Sequence, residues 1–265
     1  MPSAVRDKFI LYWLDQSRAH RVLWLLELLE LDYEVRIYLR HPATWRGPKE
    51  LFEVHPTGKV PILEIVYADG SEPLIIAETG HIMQYVVQNY DFNKVLTPKT
   101  PKQQFEVDYY LHFSEGSIQP IQITLLINSV AKSIAPFGLK KVTKLVSKGM
   151  NNGYYLHEWR LFMDVLDKAL AKNGTGFFVG DKLSAADVIL SFPVYENVFD
   201  NLEGVKEITG EKRDIRKMYP HLARWADMVA THPLYVKVTD MMDVKVDDLI
   251  ANNPHFTYDM GKGEH

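Results

Sequence analysis

The chain has 265 residues, of which 46% are hydrophobic and 24% are charged, a composition ordinary for a soluble globular protein. Its formal charge of −4 provides no broad positive field, so we expect no nucleic-acid partner. The absence of cysteine excludes disulfides, zinc–thiolate sites, iron–sulfur clusters and cysteine nucleophiles. We find no signal-peptide core and no run of about 18 apolar residues, which predicts a cytoplasmic protein without a transmembrane segment.

The N-terminal residues alternate between strand and helix patterns. Phe9–Leu14 is a compact apolar run that predicts a buried strand, and Arg18–Leu31 carries apolar residues at helical spacing. Tyr33–Leu39 alternates as a second strand. A crossover of this length between two strands predicts a right-handed parallel unit.

The following segment predicts two more strands and a helix. A short helical pattern ends at Val54, and strand patterns follow at Val60–Tyr67 and Leu74–Ala77. A turn cluster separates these two strands, which favours an antiparallel hairpin. Glu78–Tyr90 then has a helical stripe. The order predicts an α/β layer around a mixed four-stranded sheet.

Strand patterns mostly stop after residue 91, and helical patterns dominate the rest of the chain. We predict an α/β domain over residues 1–91, a linker over 92–103 and an all-helical domain over 104–265. Residues 134–152 and 200–217 have the weakest patterns, which predicts loops or insertions there.

Two motifs lie where strands begin or end. Pro61 could be a cis proline, which would turn the backbone of Val60 outward to pair with a peptide-like ligand. An ordinary junction between a loop and a strand is the alternative. Glu78 and Thr79 open a helix, where free N–H groups attract a carboxylate and the Glu78 side chain suits an ammonium group. Simple capping of the helix by Thr79 is the alternative.

Three other features have structural explanations of their own. Ser17 begins the first helix, either as a cap or with its hydroxyl facing a bound anion. Ser184 and Asp187 match a capping box, which we interpret as structural. A basic helical face is formed by Lys140, Lys141, Lys144 and Lys148. This face either contacts anionic lipid or a partner, or is simply solvated.

Taken in order, these motifs resemble the glutathione transferase family. Residues 17–21 are similar to the start of helix 1 in Ser-type members, and Glu78–Thr79 is similar to a Glu-Ser pair. Residues 56–63 match the family pattern Pro-x-Gly-x-Val-Pro-x-Leu. Residues 178–180 with 184–187 are similar to a late capping motif of the family.

Segments 13–19 and 115–120 are most similar to the fungal Gtt branch. The resemblance implies a thioredoxin-like first domain, a helical-bundle second domain, a homodimer, glutathione as co-substrate and no metal. It implies a detoxification enzyme that conjugates the glutathione thiolate to small hydrophobic electrophiles. A glutathione-dependent hydroperoxide reductase and a non-catalytic regulatory or interaction protein of the same fold are the alternatives.

The resemblance also implies a role for each matching residue. Glutathione would be bound by Arg46, Lys59, Val60, Pro61, Glu78 and Thr79. Ser17 would donate a hydrogen bond to the glutathione sulfur and lower the pKa of its thiol, with Tyr12 as the rival hydroxyl. The electrophile pocket would include Trp13, Ile118 and Gln122, for which ordinary packing is the alternative.

Overall fold

The computed structural model describes residues 6–42 and 44–252. Its contacts form two compact units, one of the described residues up to Val95 together with those from Thr231 onward, and one of residues 96–230. The domain boundaries predicted from the sequence differ from this division chiefly in the last helix, which packs with the first unit.

The first unit contains a four-stranded sheet with the strand order β2-β1-β3-β4. Its elements are β1 (Lys8–Leu14), α1 (Ala19–Leu28), β2 (Tyr33–Tyr38), α2 (Leu51–Val54), β3 (Ile62–Val66), β4 (Leu74–Ala77) and α3 (Thr79–Tyr90). Strand β1 pairs in parallel with β2, and the β1–β3 and β3–β4 pairs are antiparallel. The predicted mixed sheet is therefore confirmed.

Strand β1 is buried along almost its whole length because it is a central strand covered on both faces. Side chains alternate along a strand, so consecutive residues of β1 enter different cores. Ile10 and Tyr12 pack with Leu51 of α2 on one face. Phe9 makes an edge contact with Tyr90 of α3, at a ring-centroid distance of 4.8 Å.

Residues 96–230, all of which the structure describes, form helices and connecting segments without strands. The helices are α4 (Pro101–Phe113), α5 (Gln119–Ile134), α6 (Lys140–Met150), α7 (Leu156–Asn173), α8 (Ala185–Leu190), α9 (Leu202–Thr209), α10 (Ile215–Met218) and α11 (Pro220–Thr231). Three segments are π-helical: Ser114–Ile118 lies between α4 and α5, Asn151–Tyr155 between α6 and α7, and Ser191–Phe199 directly after α8. No described helix of either unit has the length and apolar character needed to cross a bilayer.

Segments 134–152 and 200–217, predicted as loops or insertions, are not loops throughout: the first contains α6, and the second contains α9 and α10. Helices α9 and α10 are short and begin at strong caps. The Asn201 side chain accepts a hydrogen bond from the amide of Gly204, and the Asp214 side chain accepts from the amides of Arg216 and Lys217. Helix α10 has only four residues, about one turn, which is too short to show a helical period in the sequence.

The capping box at the start of α8 is confirmed. Asp187 is fully buried, and its carboxylate accepts hydrogen bonds from the amide of Phe178 and the indole N–H of Trp225, both at 3.0 Å. It also accepts from the amide and hydroxyl of Ser184 at 3.0 and 2.9 Å. Burial raises the pKa of Asp187 to about 6, and the four donors oppose that rise.

The final helix, α12 (Pro233–Ala251), packs on α1 in the first unit. The His20 imidazole lies 3.0 Å from the hydroxyl of Thr239, and the Trp24 ring meets the Tyr235 ring edge-on at 5.0 Å. Burial lowers the pKa of His20 to about 4, so the imidazole is neutral at pH 7. Helix α1 is thus buried by a helix from the far end of the sequence.

Candidate functional site

Four connecting segments meet at one end of the sheet, because the strand registers place four strand ends there. Leu14 pairs with Tyr38, so β1 and β2 end side by side. Ile62 pairs with both Tyr12 and Ala77, so β3 begins and β4 ends at the same edge. The segments that leave this edge are the ones that carry the glutathione-binding residues predicted from the sequence.

Each predicted glutathione residue of the first unit falls on one of these segments. Ser17 follows β1, and Arg46 lies in the loop after β2. Residues 59–61 lead into β3, and Glu78–Thr79 directly follow β4. The topology therefore gathers, at one sheet edge, residues that are as far apart as 17 and 79 in the sequence.

Ser17 lies just before α1 and is 92% buried. Its hydroxyl oxygen accepts a hydrogen bond from the amide of Ala19 at 3.2 Å. Within the described residues, the Ser17 hydroxyl hydrogen has no acceptor. The N-cap position of α1 is Arg18, which makes no side-chain cap. One hydrogen bond therefore holds Ser17, and its hydroxyl hydrogen stays available to donate beside the positive end of α1.

Arg40 is a site residue that the sequence reasoning missed. Its guanidinium donates to the backbone carbonyls of Asp15 at 3.0 Å, Gln16 at 2.9 Å and Trp45 at 3.0 Å. It thereby links the loop before α1 to the loop that contains Arg46. A single arginine after a strand has no distinctive pattern, because its partners are carbonyl groups that every residue possesses.

The approach to β3 contains a cis peptide bond between Val60 and Pro61, which is one of the two possibilities that the sequence left open. Val60 precedes the first paired residue of β3, Ile62, so its amide and carbonyl lie outside the sheet ladder. Gly58 has φ +57°, a conformation that favours glycine, and an added Cβ would lie 2.7 Å from the Phe52 ring. The turn before Val60 is therefore specific to glycine.

The start of α3 has an unusual backbone. Glu78 is its N-cap residue, with φ 70° and ψ 117°, and its side chain makes no cap hydrogen bond. Positive φ is costly for a residue with a side chain and is concentrated at binding sites and active sites. Thr79 is buried and is the first helical residue, so the alternative that Thr79 caps the helix is not supported.

Arg46 and Lys59 provide positive charge near the same edge. Both are exposed, and neither has an ion-pair partner within residues 6–42 and 44–252. The loop that carries Arg46 is held by a hydrogen bond from the amide of His41 to the Arg46 carbonyl at 2.8 Å. The two side chains are free to bind a carboxylate.

Tyr12 belongs to a partly buried polar network. Its hydroxyl donates to Glu64 at 2.7 Å and accepts from Arg36 at 2.7 Å. Burial and the Glu64 carboxylate raise the pKa of Tyr12 to about 12. The next residue, Trp13, is buried on the opposite face of β1, and its indole N–H has no partner within the part of the chain that the structure describes.

The other two pocket residues lie in the helical unit. Ile118 is fully buried at the end of a π-helical segment. The Gln122 side chain donates to the carbonyl of Pro193 at 2.6 Å and accepts from Asn197 at 3.2 Å. Their role in an electrophile pocket stays a prediction. No group of three or more metal-ligating side chains is found among the described residues.

Comparison with known proteins agrees with the fold. The chain matches the model of the glutathione S-transferase N-terminal domain over residues 17–88, and that of the C-terminal domain over residues 130–237. Glutathione S-transferase 1 of Saccharomyces cerevisiae is 33% identical over 225 residues, which cover 84% of this chain and 91% of that protein.

Two solved structures have the same architecture. A glutathione S-transferase from Actinobacillus pleuropneumoniae aligns with a TM-score of 0.64 and 29% identity, covering 89% of this chain and 93% of that one. A glutathione transferase homologue from Lodderomyces elongisporus, with two glutathione molecules per subunit, aligns with a TM-score of 0.68 and 22% identity, covering 88% and 98%. The predicted thioredoxin-like and helical architecture is confirmed, as is the similarity to fungal members. With both of its domains matched and a yeast relative aligned over most of its length, this chain belongs to the glutathione transferase family.

Proposed function

We propose that this chain is a cytoplasmic, homodimeric detoxification enzyme that conjugates the thiolate of glutathione to small hydrophobic electrophiles. The observation that carries the proposal is the buried hydroxyl of Ser17, which keeps a donor beside the N-terminus of α1. A thiolate bound at that point would receive both a hydrogen bond and the favourable field of the helix dipole.

The residues at the sheet edge suit the separate parts of glutathione. The exposed carboxylate of Glu78 matches the ammonium of the γ-glutamyl group, and the first turn of α3 matches its carboxylate. The backbone of Val60, outside the sheet ladder, matches the cysteinyl peptide group. Arg46 and Lys59 match the glycine carboxylate.

Thiol activation is the chemical purpose of this arrangement. A free thiol has a pKa of about 8.5, so only about 1% is thiolate at pH 6.5. Lowering that pKa by about two units requires about 2.7 kcal/mol of preferential interaction with the thiolate. Because the chain contains no cysteine, the reactive sulfur must come from bound glutathione. The residues of this chain then need only supply stabilisation and orientation.

The contacts of Tyr12 favour Ser17 over this rival hydroxyl. The Tyr12 hydroxyl hydrogen is directed to Glu64, and its oxygen already accepts from Arg36. To serve a thiolate, Tyr12 would have to break a hydrogen bond to a carboxylate, which is costlier than breaking one to a neutral group. Ser17 has no such competing acceptor.

Replacing Ser17 with Ala is expected to lower kcat/KM with an aryl halide such as chlorodinitrobenzene by about tenfold at pH 6.5, because the thiolate loses a hydrogen bond but keeps the field of α1. The affinity for glutathione, measured by calorimetry, should change little because the other contacts remain. The ultraviolet absorbance of the bound thiolate should titrate at a pH about one unit higher.

The matched controls are Ser17→Thr, which keeps a hydroxyl, and Tyr12→Phe, which removes the rival one. Both should retain turnover. Undiminished turnover in Ser17→Ala, together with a loss of turnover in Tyr12→Phe, would show that Tyr12 and not Ser17 activates the thiol.

Two further measurements separate the alternative functions. Faster turnover with cumene hydroperoxide than with an aryl halide would identify peroxide reduction as the main reaction, with the same bound thiolate as nucleophile. Failure to bind glutathione at millimolar concentration would indicate a non-catalytic role. Calorimetry with glutathione is therefore the first experiment.

Arg40 provides a prediction about positioning. Replacing it with Gln removes three hydrogen bonds to carbonyls of the loops that hold Ser17 and Arg46. We expect kcat/KM for glutathione to fall about tenfold, because a small displacement of positioning groups raises the barrier. The matched control is Arg36→Gln, which removes another arginine near the C-terminal end of β2. An equal loss in both variants would contradict a specific role for Arg40.

A further inference from the structure

The α5–α6 hairpin exposes an apolar surface at its tip. We define the hairpin tip by six side chains, each with 54% to 96% of its surface exposed: Ile134, Phe137, Leu139, Val142, Leu145 and Val146. Phe137, at 96%, is the most exposed large hydrophobic residue in the described part of the chain. Scattered exposed apolar residues are ordinary, but six within residues 134–146 form a dense group, which is typical of an interaction surface.

Helix α6 is packed in an unusual way. The apolar face of a surface helix normally covers the core, but α6 buries Ser147 and turns Val142, Leu145 and Val146 to solvent. The junction with α5 is held by a buried hydrogen bond from Asn128 to Asn151 at 2.7 Å. Within α6 a serine is therefore buried, while Val142, Leu145 and Val146 remain uncovered.

The same region has an uninterrupted positive charge. Residues 116–157 contain no aspartate or glutamate. Their charged side chains are Lys132, Lys140, Lys141, Lys144 and Lys148. The segment carries +5 in a chain of net charge −4, so the remaining residues carry −9. At 100° per residue, the four lysines of α6 occupy one arc of the helix, and its exposed apolar residues occupy the adjacent arc.

We propose that the hairpin tip docks on the surface of an anionic lipid bilayer. Helix α6, about 16 Å long, would lie in the membrane plane. Its apolar side chains would enter the boundary between headgroups and acyl chains, and its lysines would extend toward the lipid phosphates. An apolar arc beside a basic arc, without acidic residues, is typical of helices that bind the surface of an anionic membrane.

Two copies of the chain cannot pair favourably through their hairpin tips alone. A symmetric contact between two tips would bring five lysines of each chain together without any acidic residue from the same segment. Like charges placed opposite one another at an interface are strongly unfavourable. An anionic surface removes this repulsion, which is why charge favours lipid as the occupant.

The test is co-sedimentation of the full chain with vesicles of phosphatidylcholine alone or mixed with phosphatidylserine. We expect binding only to the mixed vesicles at low salt, and release at high salt. Replacing Lys140, Lys141, Lys144 and Lys148 with Gln should weaken partitioning by about fivefold per lysine. Replacing Phe137 and Leu145 with Ser should also abolish binding, although the charge is unchanged.

The matched control replaces four exposed lysines elsewhere in the helical unit with Gln. These are Lys102, Lys168, Lys172 and Lys212. Loss of binding in this control to the same extent as in the α6 variant would overturn the proposal, as would the absence of binding to anionic vesicles. Concentration-dependent dimers that Leu145→Ser disperses, without vesicle binding, would assign the surface to a second copy. None of these measurements depends on glutathione.

Discussion

Replacing Asp187 with Ala is expected to lower the free energy of unfolding by about 4 kcal/mol. The buried carboxylate accepts four hydrogen bonds, and its removal leaves the amide of Phe178, the indole of Trp225 and the amide of Ser184 without an acceptor. Each buried donor left unpaired costs about 1–3 kcal/mol, and the lost cap costs about 1 kcal/mol more. A loss of this size is a large share of the total stability of a protein.

Denaturant unfolding followed by circular dichroism measures this effect. Asp181→Ala is the matched control, because Asp181 is an exposed aspartate close by in the sequence that pairs with Lys99 at 2.6 Å. Exposed ion pairs contribute little, so this control should change stability far less. Equal losses in the two variants would show that the buried hydrogen bonds of Asp187 contribute no more to stability than an exposed ion pair.

Acidification from pH 6.5 to pH 4 is expected to lower the free energy of unfolding by about 3 kcal/mol through His20 alone. The folded state holds this imidazole neutral with a pKa of about 4, whereas the unfolded value is about 6.5. Between these values the unfolded state binds more protons. The contribution of His20 is therefore complete above pH 6.5 and is lost as the pH falls toward 4.

The His20→Gln variant provides the test, because an amide can still donate to Thr239 but does not titrate. Its stability should depend less steeply on pH than that of the original chain in this range. The control is His157→Gln at an exposed histidine, which separates the loss of any histidine from the loss of the buried His20. An unaltered slope in His20→Gln would show that other groups cause the acid sensitivity.

Periodicity predicted the sheet and the long helices because their side chains alternate between buried and exposed positions in regular ways. Leu11 and Trp24, for example, are fully or almost fully buried in the elements predicted for them. The segments predicted to bind glutathione were recognised by their similarity to family motifs and not by periodicity. The turn at Gly58 and the start of α3 at Glu78 have demanding backbones, which restrict the residues that can stand there.

Sequence patterns could not reveal features that depend on tertiary contacts. The role of Arg40 depends on carbonyl groups of distant residues, which no side-chain pattern reveals. The outward face of α6 was foreseen only as a basic stripe, because a sequence shows that a helix is amphipathic but not which face it buries. The packing of α12 on α1 likewise joins residues far apart in the sequence, and no local pattern predicts such a contact.

The packing of α12 on α1 has a consequence for folding during synthesis. Helix α1 emerges from the ribosome early, but the Tyr235 and Thr239 side chains that contact its Trp24 and His20 are more than two hundred residues further on. The helical unit between them is synthesised whole before α1 can be covered. Domains commonly fold in the order of their synthesis. Here the unit that is translated first is the last to be completed, and the face of α1 that α12 covers stays accessible to chaperones until the first two turns of α12 have been synthesised.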